Sequence, residues 1–317
     1  MAGFGTDSFA DPDDFSARLA SAEVRFVVTG RARFAARLSW IDMRCLRLLV
    51  VEEGAPRLAF ISLPPASVAI SFSFSRKPSL VWNGIALQRN GLVLHRPGDQ
   101  FYQRVTGAAH WGLLLLSSSD LARHRRALLG GSSSFDFYGL VHPCTGSGAR
   151  LRRLIAQGAH LAGGKPALLA SAEVARALEQ DLIHAVVTAL GSAEPDRRFA
   201  TRNRRAAAMV RFEEALAGGG PGLSLPGLCA AVGVPERTLR VYCADFLGCS
   251  PMEYARLRRF NLARSALRDA DRGVTGVAEI ARSIGFSDPG RFAVAYRALF
   301  GEAPLETLAR PKGASST

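Results

Sequence analysis

The last hundred residues say the same thing twice. The two copies are LPGLCAAVGVPERTLRVYCADFLG at 225–248 and VTGVAEIARSIGFSDPGRFAVAYRALFG at 274–301. In each, a short helix carries a small residue four positions before a glycine, Cys229 before Gly233 and Ala281 before Gly285, and leads through a tight turn into a second helix. The small residue lets two helices cross closely at a steep angle, and the glycine relieves the backbone at the turn. The second helix keeps an apolar inner face, Leu239, Tyr242 and Phe246 in one copy and Phe292, Tyr296 and Phe300 in the other, and turns polar and basic residues outward. That pattern spells a helix-turn-helix, and two copies with glycines 52 residues apart spell a tandem pair.

Between the copies, SPMEYARLRRFNLARSALRDA begins with Ser250 as an N-cap and Pro251 at the first helical position. The roughly 18 residues that follow make a rod of about 27 Å. Such a rod holds the two second helices near one turn of DNA apart, about 34 Å, so that both enter successive major grooves on one face of a duplex. Composition agrees with a polyanionic partner: Lys+Arg 40 against Asp+Glu 27 gives a formal charge of +13. The excess is spread over both halves of the chain and does not choose between them.

The first half reads differently. From about Val24 to Ser117 the apolar pattern has period two; in VAISFSFS, Val68, Ile70, Phe72 and Phe74 alternate with Ser71, Ser73 and Ser75, as a half-buried antiparallel strand requires. Several such strands separated by turn dipeptides predict a β-sandwich or barrel. After Ser119 the period becomes helical, and Val174, Leu178, Leu182, Val186 and Leu190 form one stripe, either core or a dimer face. The expected organisation is a mobile lead at 1–20, an effector and dimerisation domain at 21–190 joined to its copy through the 168–190 helix, a linker at 191–203, the helix-turn-helix domain at 204–310 and a tail at 311–317.

The C-terminal region resembles the AraC/XylS family of bacterial transcriptional regulators. The resemblance rests on GVPERTL at 233–239, LGCSPMEY at 247–254, RRFNLARSAL at 258–267, VAEIA at 277–281, GFSDPGRF at 285–292 and YRALFGEAP at 296–304. It implies two helix-turn-helix subdomains on a linking helix, reading a bipartite promoter site and acting on RNA polymerase recruitment. Family members usually carry a basic residue where this chain has Val241 and Val294, and an aromatic where it has Cys243. The strands of the first half resemble the family's cupin-type effector domains, so the expected fold class is α+β multidomain: an N-terminal β-rich, cupin-like barrel with following helices, then an all-α domain of two helix-turn-helix subdomains.

Within that frame, Cys229, Gly233, Leu239, Ala281, Gly285, Phe286 and Phe292 are the structural residues of the two motifs. Glu236, Arg237 and Arg240 in the first recognition helix and Ser287 and Arg291 in the second are the candidates for base-edge contact. Arginine pairs with guanine O6 and N7 together, and glutamate accepts from cytosine N4. Asp288 reads first as an N-cap ahead of Pro289. Arg258, Arg259 and Arg297 are the candidate phosphate contacts.

The first half carries no catalytic pattern. Its histidines stand singly with no HxH pair, and no GxSxG elbow, phosphate loop or GxGxxG is present, so no metal and no cofactor is expected and the protein is not read as an enzyme. Trp82, His95, Arg96, Tyr102, Arg104 and Trp111 are the candidates for lining an effector pocket. Five scattered cysteines without CxxC spacing and no apolar run of about 18 residues point to a cytoplasmic chain with no membrane partner. The expected partners are double-stranded promoter DNA, RNA polymerase, a small-molecule effector and a second copy of the chain. The competing readings are a cupin-like small-molecule enzyme with a DNA-binding tail and an architectural DNA binder without an effector.

Overall fold

The computed structural model describes residues 3–19, 22–31, 33–89, 91–130, 138–196, 203–220, 223–270 and 275–309. The tail at 311–317 and part of the 191–203 linker lie outside them. Two antiparallel sheets build the first half. The larger runs in the order β1 (Gly3–Phe9), β3 (Ala36–Asp42), β4 (Leu46–Glu53), β11 (Ala109–Ser117), β6 (Ser67–Ser73), β9 (Leu92–His95), β12 (Gly139–His142), β13 (Glu194–Pro195). The smaller runs β2 (Glu23–Val28), β5 (Arg57–Ser62), β10 (Gln100–Val105), β7 (Leu80–Trp82), β8 (Ile85–Ala86). Neither closes on itself, so the expected barrel is an open two-sheet sandwich.

The alternation of side chains sorts this half into layers. In β4, Leu46, Leu48 and Val50 face helices α2 (Ser118–Leu129), α3 (Thr145–Gly164) and α5 (Ala172–Gly191), while Leu49 and Val51 face the second sheet. The short helix α4 (Pro166–Leu169) links α3 to α5. The serine face of β6, expected to be solvated, is buried as well, Ser71 at 3% exposure and Ser73 at 0%, because the smaller sheet covers it. Helix α5 places Leu178, Leu182, Val186 and Leu190 in the core beneath the larger sheet. Its apolar stripe is therefore used inside the domain and is not a free dimer face.

The opening residues are also part of the fold. β1 pairs with β3 from Gly3 opposite Asp42 to Phe9 opposite Ala36. Helix α1 (Pro12–Arg18) follows, with Asp11 as its N-cap and Phe15 fully buried beside Phe9, Phe26 and Phe34. The mobile lead expected at 1–20 is thus replaced by a strand and a helix over Gly3–Arg18.

The second half is helical: α6 (Asn203–Gly218), α7 (Leu225–Val232), α8 (Glu236–Leu247), α9 (Pro251–Asp269), α10 (Val277–Ser283), α11 (Pro289–Phe300) and α12 (Pro304–Ala309). It docks on the outer face of the smaller sheet, where Val27, Leu58, Phe60 and Tyr102 join Met209, Phe212, Phe246 and Tyr254 in one apolar cluster. At its centre Glu213, 1% exposed, accepts hydrogen bonds from Arg25 Nη1 (2.6 Å), Tyr102 Oη (2.7 Å), Tyr254 Oη (2.9 Å) and Arg258 Nε (2.9 Å). Burial pushes the Glu213 carboxyl up, but the Arg258 charge and the Tyr102 and Arg25 hydrogen bonds outweigh it and hold the group below the ordinary glutamate range.

Glu213→Ala leaves two guanidinium groups without their shared acceptor, and the full chain should lose about 3–5 kcal/mol of stability, read as a lower urea midpoint; Glu213→Gln should lose less. In the sandwich, His95 is fully buried, stacked on Phe101 at 4.1 Å and bonded through Nε2 to Ser71 Oγ at 2.8 Å. Burial drives its pKa from 6.5 down to about 3. As pH falls below 6.5 the unfolded chain takes up a proton that the folded chain refuses, so stability should drop by about 1.4 kcal/mol per pH unit from this residue until pH nears 3. His95→Gln should flatten the stability profile between about pH 6 and pH 4 by roughly that slope, measured by denaturation at each pH.

Candidate nucleic-acid interface

Each helix-turn-helix is held by its own capping chemistry. Ser224 caps α7 by accepting from the Gly227 amide at 3.2 Å, and Gly233, at φ +73°, ends it with its amide on Cys229 O at 2.9 Å. In the second copy Gly285 takes φ +90°, and the Phe286 amide reaches Ala281 O at 2.9 Å. A Cβ is disfavoured at both glycines by this left-handed backbone. Both recognition helices end on left-handed glycines, Gly248 and Gly301, which are 53 residues apart where the turn glycines are 52 apart. The second turn is therefore one residue longer. Asp288 caps α11, accepting from the Gly290 and Arg291 amides at 2.9 and 3.0 Å, which commits its carboxylate to the helix rather than to a base.

The inner faces lock each recognition helix to a separate core. Leu239, Cys243 and Phe246 of α8 pack with Leu228 and Val232 of α7. Phe292 and Tyr296 of α11 pack with Ile280 and Ala281 of α10 and with Phe260, Ala263 and Leu267 of α9. Phe286 lies 4.6 Å from the Phe260 ring and 4.8 Å from Phe292. Helix α9 thus contributes Tyr254 and Ala255 to the first core and its later turns to the second, and it joins them as one rod. Tyr242 and Phe300, read as inner-face residues, are half-buried at the margins.

Outward lie Glu236, Arg237, Arg240 and Val241 on α8, and Ser287, Arg291, Val294 and Arg297 on or before α11, all exposed. Arg240 pairs with Glu236 at 2.8 Å and Arg291 with Asp288 at 3.4 Å. Exposed pairs of this kind are worth at most about 1 kcal/mol and give way readily to a duplex. Arg259 is half-buried with its guanidinium 5.5 Å from the Phe286 ring. Arg258 is different. It is 8% exposed, bound to Glu213 and to Leu216 O of α6, so it ties α9 to α6 inside the helical half and is not a phosphate contact.

The expected effector pocket is not assembled. Trp82, His95 and Trp111 point between the sheets into the sandwich core, with Trp111 donating to the buried Glu53 carboxylate. Tyr102 and Arg104 point the other way, into the interface with the helical half, where Arg104 lies against Gly248. Arg96 sits apart, 5.1 Å from the Tyr138 ring. The two-residue alternation of a strand sends neighbours to opposite faces, and six residues chosen by chemistry alone could not share one cavity. An open groove of about 1010 Å³ does lie at one end of the larger sheet, bordered by Ser8, Phe9, Arg33, Arg37, Glu52 and His110, none of them among those candidates.

Residues the sequence reading missed hold the interface between the halves. Asn261 of α9 accepts from the Val28 amide at 2.9 Å and donates to Val28 O at 3.3 Å, serving the edge strand β2 as a neighbouring strand would. Arg264 binds Asp11 and Asp13, and Arg268 binds Asp11 and Asp14. Tyr254, Arg258, Asn261, Arg264 and Arg268 recur at helical spacing, which was a legible signal for a polar stripe meeting a protein surface.

Among the described residues no group of three or more histidine, cysteine, aspartate or glutamate side chains is placed to hold a metal, and no helix is long and apolar enough to cross a membrane. Residues 228–310 match the family described as a helix-turn-helix domain. The chain is 40% identical over 86 residues to the "Probable thc operon regulatory protein" of Rhodococcus erythropolis, 27% of this chain and 26% of that one. It is 37% identical over 90 residues to "XylDLEGF operon transcriptional activator 1" of Pseudomonas putida, 28% of this chain and 27% of that one. The match thus spans about a quarter of the length of these curated relatives. A solved structure of a probable AraC family transcriptional regulator from Rhodopseudomonas palustris is 36% identical, covering 33% of this chain and 98% of that one, with a TM-score of 0.30. Residues 228–310 are thus a helix-turn-helix domain similar to the one in AraC/XylS-type operon activators.

Proposed function

We propose that this chain is a cytoplasmic, sequence-specific DNA-binding regulator of transcription that lays α8 and α11 in successive major grooves. The observation that carries the reading is the pair of recognition helices, each locked to its own core, each with an exposed outer face, and both tied to the single helix α9. In this reading Glu236, Arg237 and Arg240 read one half-site, Ser287 and Arg291 the other, and Arg259 and Arg297 contact phosphate. The names of the two curated relatives, an operon activator and an operon regulatory protein, support a role in transcription, with RNA polymerase as partner. The β half is the effector-responsive part, and the groove beside Arg33, Arg37 and His110 is where a small molecule is to be sought. The chain acts as a homodimer through a surface other than the apolar stripe of α5.

Selection of duplexes from a random pool by the full-length chain tests the reading. A two-part motif with its halves about one helical turn apart is expected, and recovery of unrelated sequences would defeat it. On the selected duplex, Arg237→Ala and Arg291→Ala should each cost about 1–3 kcal/mol and relax choice at one base pair. Arg297→Ala should instead weaken all sequences alike and lower the salt slope by about 1.

A further inference from the structure

Of the large apolar side chains left exposed among the described residues, two lie on recognition helices: Val241 at 46% and Val294 at 74%. Their places in the repeat are the same. Each stands five residues after the first residue of its helix and seven before the left-handed glycine that ends it. Each is flanked two residues away on both sides by buried anchors, Leu239 and Cys243 in α8, Phe292 and Tyr296 in α11. At 100° per residue that puts both valines on the side opposite the core.

What shares the outward stripe differs between the copies. In α8 it is Arg237, Arg240, Val241 and Ala244; in α11 it is Gly290, Arg291, Ala293, Val294 and Arg297. Between Arg291 and Arg297 the α11 stripe carries no hydrogen-bonding side chain, and its small residues let the helix backbone lie close to whatever it meets. A β-branched side chain facing water adds nothing to helix stability. In a major groove the group such a surface can recognise is the C5 methyl of thymine, which presents apolar contact where the other bases present donors and acceptors.

We infer that Val294, with Val241 as its counterpart in the first half-site, selects thymine by contact with the C5 methyl group. This rests on the DNA-reading function proposed above and deepens it: each half-site combines a thymine met by valine with bases read by arginine, Arg291 in the α11 half-site and Arg237 and Arg240 in the α8 half-site.

The test uses the full-length chain and the highest-affinity duplex from the random-pool selection, remade with each thymine in turn replaced by deoxyuridine, which lacks only the methyl. For the unaltered chain, loss of the methyl at one thymine or more in each half-site should weaken binding about three- to fivefold, the worth of one buried methyl group. Val294→Ala should be blind to that change in the α11 half-site and Val241→Ala in the α8 half-site, with sensitivity in the other half-site retained. Both positions are exposed and alanine is the better helix former, so the variants fold as the parent does. Selection of a two-part motif with no deoxyuridine effect, or an effect that persists in the alanine variants, overturns the valine assignment alone. Failure to select any motif overturns the DNA-reading function and this inference with it.

Discussion

A buried carboxylate ties the two halves of this protein into one body. Glu213 sits at 1% exposure on α6, and its four partners come from β2, β10 and α9. A charge so buried is tolerated only while its hydrogen bonds are made. The first helix-turn-helix core cannot separate from the sheet without taking Arg25 and Tyr102 from this carboxylate and leaving it with Tyr254 and Arg258 alone. Around the charge, Phe60, Tyr102, Phe212 and Tyr254 exclude water, which strengthens the attraction that binds them.

Helix α9 carries the constraint onward. Its stripe from Tyr254 to Arg268 faces the β half, fastened by Glu213 at one end, Asn261 in the middle and the Asp11, Asp13 and Asp14 carboxylates at the other. Its remaining faces fill the two cores that hold α8 and α11. The same rod that spaces the recognition helices is thus the rod the β half grips along its length. Burial pushes the Arg264 guanidinium toward neutrality, but the Asp11 hydrogen bond and the Asp11 and Asp13 charges reverse the effect, so the guanidinium at the far end of the grip stays charged.

Legibility followed the range of the interactions. The helix-turn-helix pair was readable because its grammar is local: the bonds from the Gly233 amide to Cys229 O and from the Phe286 amide to Ala281 O each span about one turn, and Asp288 caps its own helix. The strands were readable by alternation, but their surroundings were not. Ser71 looked solvated because nothing nearby in sequence reveals that a second sheet will cover it. Arg258 looked like a phosphate contact because Glu213 lies 45 residues away, and Asp11 looked like part of a loose lead because its partners lie more than 250 residues away. Charged groups are ambiguous in a sequence for this reason: their role is set by the partner, and the partner is supplied by the fold.

The repeat is therefore a repeat of framework and not of reader. The buried anchors Leu239 and Cys243 of α8 correspond to Phe292 and Tyr296 of α11, and the closing glycines share a left-handed conformation. The outer faces do not correspond: α8 presents Arg237 and a Glu236–Arg240 pair, whereas α11 presents Arg291 among glycine, alanine and valine ahead of Arg297, after a turn one residue longer. In the proposed reading, two unlike heads on one rigid rod require two unlike half-sites in a fixed order. A single copy then imposes a direction on the duplex, since reversing the DNA would bring each head to the wrong bases while leaving every phosphate contact available. Orientation of this kind is what a regulator needs if its remaining surface is to meet RNA polymerase from one side only.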